Sequence, residues 1–560
     1  MTHSHQAGLH STTIAGSALL LFLALSIGNL ALVRWLDNTN LETSNGLWKM
    51  PGIHLWEKIG VGSVDTGGLL YFPTYGSAAR LLPDFWFTYG TPPDSVTHRK
   101  MAALNAIFGA LASSALFLIA CRMTHRLPLS VGVAGLHATA GFVLLNSVNS
   151  EDVIPAYALF VCMVLCLSAF LETRIVGWFV GATFFLGSLT FFHWTLLPPA
   201  AAALALALFL VASTRLESLW LPACALAVTA VWMQILLCIT HWVTSEAAPI
   251  GLLGVIFPQK AAVSGWLGFA SQKLVYLLVG IGNYWVGAQN VSDYAPRLRS
   301  PQYLAEMAFS LAALIMAILV CFWTLFSARS TPALRAFAAF GLALFLTGEL
   351  MHLYSQPQDP QSQIQPMLIL FVGLLLGLEV VSRARSTRRV RTLAFTLLAI
   401  AMLVGTYNVA RFASTRSADS FQIEALQTFM SQFPPARTRL VSHGFEGWIT
   451  WRYVFGFDAN SKAFEQDTIL ITAAFTNHYG ISSEAAADLI ATRIADALDE
   501  GYRVYAGALW TQDEVSFVDS MSTVVERRRA SEFYHLLMAR FQASNARETP
   551  YGTFVELKRR

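Results

Sequence analysis

The chain has 560 residues, of which 55% are hydrophobic and 13% charged, with a net charge of +3 and a mean hydropathy of +0.51. A soluble domain carries roughly 25% charged residues, so this composition excludes an ordinary soluble protein. The small net charge says little about partners, because placement of charge matters more than its sum in a membrane protein; no nucleic-acid partner is expected.

The apolar residues fall in blocks of about 20, enough to cross a hydrocarbon core of roughly 30 Å. In chain order the predicted spans are 13–34, 101–121, 128–146, 153–171, 175–193, 195–213, 219–240, 304–326, 336–354, 366–382 and 391–410. The first block has no small-residue cleavage signature after it and reads as a retained span. All six cysteines lie inside apolar blocks, which argues against a disulfide framework or a thiolate metal site.

Arginine placement sets the sides. Arg122 and Arg126, Arg174, Arg215, Arg329 with Arg335, and the cluster Arg383, Arg385, Arg388, Arg389 and Arg391 all fall in short loops. Eleven spans put every one of them on the cytoplasmic side. A weaker apolar patch, Leu267 to Val286, then does not cross and reads as a surface or re-entrant element within an external segment, 241–303. The N-terminus is expected to be cytoplasmic and the C-terminus extracytoplasmic, in a bacterial inner membrane.

This map gives a transmembrane body, 1–411, with a long external first loop, 35–100. The tail, 412–560, regains ordinary charge density and reads as a small α/β domain. Its predicted strands are 439–442, 468–472, 502–506 and 553–558. Its predicted helices start at Ser482-Ser483-Glu484 and end at Gly501, and cover 512–526 and 531–544.

Ionisable groups at membrane depth are functional candidates. Asp37 stands three residues after Arg34, at the external end of the first span, where it is either a helix-end charge at the water interface or a general base facing a cavity. Glu151 and Asp152 begin the fourth span, beside Asn146 and Asn149. Either they cap the helix through its dipole, or they hold a divalent cation or sugar hydroxyls through their oxygens. His193 ends the fifth span among aromatics, and an interface role competes there with a catalytic one. Glu349 and His352 lie one turn apart and share a face, which makes His352 the expected partner of Glu349. A loop rich in Gln and Pro follows and includes Gln363, suited to hydrogen-bonding a carbohydrate or lipid head group. Lys49, Lys58, Arg80, Arg99, Lys100, Lys260, Lys273, Arg297 and Arg299 are expected for the most part to be solvated or to lie among lipid head groups, with one or two available to clamp a phosphate.

This layout resembles the GT-C superfamily of membrane glycosyltransferases, which includes protein O-mannosyltransferases and the lipid A aminoarabinose transferase. Asp37 is similar in position to the family's first acid. The stretch Ser150-Glu151-Asp152-Val153-Ile154-Pro155 is similar to its second-loop acid, and His193 followed by Leu197-Pro198-Pro199 resembles the start of its next span pair. Asp37 stands alone where several members have paired acids, and the glutamine loop replaces an Arg-Tyr signature.

The resemblance implies a GT-C-like helical body. It also implies transfer of a sugar from a polyprenyl-phosphate donor to a hydroxyl of a glycan, lipid or protein acceptor, at the external face. Asp37 would be the base, and Glu151 and Asp152 would bind the acceptor or a divalent cation. Lys58, Arg80, His193, His352 and Gln363 are the candidate contacts to donor or substrate. A transporter or flippase, or a non-catalytic scaffold of an envelope glycan system, is the alternative.

Overall fold

The computed structural model describes residues 11–36, 53, 57, 70–88, 96–149, 153–244, 272–286, 300–354, 363–383, 387–433, 437–442, 468–471, 474, 481–521, 525–549 and 552–560. Its helices run, in chain order, α1 Ser11–Leu36, α2 Tyr71–Leu81, α3 Val96–Thr124, α4 Leu127–Thr139, α5 Gly141–Val148, α6 Val153–Thr173 and α7 Val176–Phe192. Then come α8 Leu197–Val211, α9 Arg215–Thr244, α10 Gln272–Gly282, α11 Pro301–Phe326, α12 Pro332–Tyr354, α13 Ile369–Arg383 and the long α14 Thr387–Gln432.

Among the described residues, nine helices are long and apolar enough to cross a membrane, with α8 and α13 each counted together with the single 3-10 turn that leads into it (194–196 and 366–368), and α4 with α5 forms a bent pair that makes a tenth. The chain is therefore a multi-pass membrane protein. The expected fifth span is the 17-residue α7, about 25 Å long at 1.5 Å per residue. The patch 267–286 contributes α10, whose 11 residues cover about 16 Å, too short to cross.

Helices α3 and α6 are buried along most of their length, whereas α1, α9, α11 and α14 turn large apolar side chains outward. Leu20, Trp242 and Phe395 are 69%, 83% and 72% exposed, as side chains facing lipid are. Small residues let the central helices approach: a Cβ on Gly373 of α13 would lie 2.6 Å from the backbone of Ala317 in α11.

The expected span 128–146 emerges as a broken one: the helix breaks at Ala140 and bends by 65°. Backbone groups freed at such a break need internal partners in lipid, and distant residues supply them. Gly141 N–H donates to Trp285 O at 3.0 Å and Phe142 N–H to Tyr284 O at 3.1 Å. The Asn408 amide donates to both Thr139 O and Trp285 O at 2.9 Å.

The tail forms a second apolar core. Beyond α14 it holds β1 Thr438–Ser442, β2 Thr468–Leu470, α15 Ser483–Asp499, β3 Arg503–Ala506, α16 Glu514–Met521, α17 Arg527–Met538, β4 Phe541–Thr549 and β5 Gly552–Arg559. The sheet order is β2-β1-β3-β5-β4, with β1 parallel to both neighbours and β5 antiparallel to β3 and β4. The predicted helix 531–544 is corrected to α17 followed by β4; hairpin pairing with β5 takes Phe541 to Thr549 into the sheet. Within the predicted helix 512–526 the described helix is α16. Arg547 joins the exit of α14 to the sheet, donating to Gln432 O at 3.1 Å and lying 5.0 Å over the Tyr505 ring.

Candidate functional site

The first loop is anchored by a buried charge cluster at the start of α3. Lys100, 1% exposed, donates to Glu57 Oε1 and Asp84 Oδ1, each at 2.5 Å. Thr97 donates to Glu57 Oε2 at 2.6 Å, and Arg99 donates to Phe87 O at 2.9 Å. A buried ammonium needs close counter-charges to offset its desolvation, and here the protein provides them. Lys100 and Arg99, expected to be available to a phosphate, are thus engaged by the fold itself. Arg80 is exposed in the last turn of α2. Lys58, Lys49, Lys260, Arg297 and Arg299 lie outside the described residues.

Asn105 of α3 joins the first loop to the second. It accepts from the Tyr75 hydroxyl of α2 and donates to Asn149 O at 2.7 Å. Asn146 and Ser147 instead turn back on their own helix, each donating at 2.6 Å to Phe142 O and Val143 O. Helix α1 packs on α3 and α5. Leu36, Val148 and Val153 are buried in one apolar cluster. These three residues flank the acids assigned from sequence, but Asp37, Glu151 and Asp152 themselves lie outside the described residues.

The end of α12, residues 363–366 and the turn after α7 are knit together. Gln363 donates to Glu349 Oε2 at 3.0 Å, and Gln365 donates to Leu196 O at 2.8 Å. Thr195 bonds His193 Nδ1 at 2.7 Å, and His193 lies within electrostatic reach of His352. Gly348 lets Pro366 close on α12, since a Cβ there would lie 2.6 Å from Pro366 Cγ. The expected Glu349–His352 pair is corrected: Gln363, fourteen residues on, is placed to donate to Glu349 and takes the role expected of His352. His193, His352 and Gln363 are therefore brought to one place, and Arg80 lies on α2 of the first loop.

This knit is incompletely bonded. Glu349, His352 and Gln365 are 6%, 1% and 0% exposed. Among the described residues, Glu349 Oε1, both ring nitrogens of His352 and Gln365 Oε1 are buried and find no hydrogen-bond partner. Orphaned polar atoms on this scale are rare in folded proteins and call for a cause.

Sequence reading missed a second buried network. Ser113 Oγ lies 2.8 Å from His137 Nδ1, and His137 Nε2 lies 2.8 Å from the Tyr157 hydroxyl. The ring stacks on Tyr157 and meets Phe371 edge-on. A histidine inside an apolar span was the available signal; a hydropathy average hides it. Among the described residues no group of three His, Cys, Asp or Glu side chains is placed to hold a metal.

The fold is one already seen in solved structures. The chain aligns over 97% of its length with 98% of ArnT from Cupriavidus metallidurans bound to undecaprenyl phosphate, at a TM-score of 0.52 and 10% identity. The apo state of that protein aligns over the same shares at 0.47 and 11% identity. The apo oligosaccharyltransferase of Archaeoglobus fulgidus aligns at 0.47 and 13% identity, covering 96% of this chain and 74% of its own. No family model and no curated protein sequence matches the chain.

Proposed function

We propose that this protein transfers a sugar from a polyprenyl-phosphate-linked donor to an acceptor hydroxyl at the extracytoplasmic face of a bacterial inner membrane. The observation that carries this reading is the end-to-end fold likeness to ArnT, a structure that holds undecaprenyl phosphate. The open polar atoms of Glu349, His352 and Gln365 add a place where a polar ligand would complete the protein's own hydrogen bonds.

In this reading Asp37 takes the proton of the acceptor hydroxyl as its oxygen attacks the anomeric carbon. The bond from that carbon to the phosphate oxygen breaks, and the polyprenyl phosphate leaves with the electron pair. Glu151 and Asp152 orient the acceptor or hold a divalent cation. Arg80 and Lys58 are the cations assigned to the leaving phosphate, since Lys100 and Arg99 are engaged elsewhere. His193, His352 and Gln363 line the substrate side. The C-terminal α/β domain shares the external side with these residues.

Replacing Asp37 by Asn in the purified protein and measuring transfer from polyprenyl-phosphate sugars tests the reading. Loss of about 100-fold or more in turnover is expected for a general base; unchanged turnover removes Asp37 from the mechanism. A transporter draws some support from the interrupted α4–α5 pair, and it or a scaffold would tolerate changes at Asp37, Glu151 and Asp152 without a transfer phenotype.

A further inference from the structure

We infer that Glu349, His352 and Gln365 form a subsite for the hydroxyl-bearing edge of a sugar, not for its phosphate. This rests on the transfer reading for the ligand's source, but its chemistry comes from the orphaned atoms themselves. A neutral imidazole offers one donor and one acceptor. With Gln365 Oε1 also open among the described residues, the knit presents two acceptors beside the imidazole donor, and Glu349 Oε1 adds a further polar position.

A phosphate is the wrong occupant for that set. It carries acceptors only, so it would leave Gln365 Oε1 and the accepting nitrogen of His352 unpaired. Sugar hydroxyls both donate and accept, and adjacent hydroxyls on a ring satisfy several fixed acceptors at once. Each orphaned atom left unpaired costs its full desolvation, so a ligand that pairs them gains more than the same bonds would give in water.

The three residues are held for this task by groups that remain when the ligand leaves. Gln363 fixes one oxygen of Glu349 and leaves the other open. Leu196 O takes the amide of Gln365 and aims its oxygen away from that bond. His352 is set on the same face of α12 as Glu349, one turn on, with His193 nearby.

The test uses the full-length protein in detergent and reads binding, not turnover. The probes are undecaprenyl phosphate, its glucose-, mannose- and galactose-linked forms, and the corresponding methyl glycosides. The variants are Glu349→Gln and His352→Asn, each checked by thermal melting. Both variants are expected to bind at least one sugar-linked lipid about tenfold or more weaker than the parent, while sugar-free undecaprenyl phosphate binds as before. A matching loss confined to the methyl glycosides would also support the subsite and assign it to an acceptor glycan.

The subsite is overturned if folded variants bind all probes like the parent, as a water-filled structural cluster would. Equal weakening of the sugar-free lipid overturns it too. Absence of turnover in the parent protein counts against the transfer reading alone, since the binding comparison does not need turnover.

Discussion

Gln363 and Glu349, fourteen residues apart, are joined by a 3.0 Å hydrogen bond that binds the polar segment after α12 back onto that helix. Replacing Gln363 by Ala leaves a buried carboxyl with no partner on either oxygen. Such an orphan costs about 1–3 kcal/mol, so the melting temperature in detergent should fall. In the Glu349→Ala, Gln363→Ala double variant the loss should be less than the sum of the two, as expected for residues in contact. Simple additivity would show that this bond does not hold the segment.

Two glycines should respond with opposite sign. Gly348→Ala places a methyl 2.6 Å from Pro366 Cγ, and overpacking of this kind costs about 1–3 kcal/mol. Gly377 meets nothing within 4 Å and lies inside α13, where Gly→Ala should stabilise by up to about 1 kcal/mol. Melting both variants side by side checks the close approach of residues 363–366 to α12.

Lys100 is expected to act through folding. Lys100→Met strips Glu57 of its buried counter-charge, a change that costs about 3–5 kcal/mol. The Lys100→Met, Glu57→Leu double variant removes both charges and should recover much of the loss. If the single variant melts like the parent but loses phosphate-lipid affinity, Lys100 is a ligand group and its pairing is incidental.

Asn408 is expected to govern the bend. Asn408→Leu keeps the bulk but deletes both donors, leaving Thr139 O and Trp285 O short of a bond where water is scarce. A loss of about 1–3 kcal/mol should follow. Spin labels at residues 131 and 145 would report the angle between α4 and α5 directly, and an unchanged distance distribution would show that the break does not depend on Asn408.

Much of the fold was legible because its cause is local. A run of about twenty apolar residues satisfies its backbone only as a helix in lipid, so ten of the eleven spans read from sequence emerge as long helices or the bent pair, and the eleventh as the shorter α7. The strands at 439–442, 502–506 and 553–558 were legible for a similar reason, since short β-rich runs bounded by turn residues need little context. Strand β4 was not: Phe541 to Thr549 carries six polar or charged side chains among its nine residues, and only pairing with β5 makes it a strand.

The candidate site divides along the same line. Composition and charge placement decided by themselves that the chain is a multi-pass membrane protein, and they named His193, His352 and Gln363 as polar residues at span ends. Which of these meet, and through what bonds, was decided only by tertiary structure. Glu349 and His352 share a helix face, a local rule that predicts their pairing, yet the carboxylate is bonded by Gln363 and the imidazole is left open. Lys100 and Arg99 look available in sequence because a cation in a loop is cheap in water; the fold buries them and engages them with Glu57, Asp84 and Phe87. Hydropathy is a property of segments and survives without neighbours, whereas a hydrogen bond belongs to two residues, and its second partner is chosen only when the chain has folded.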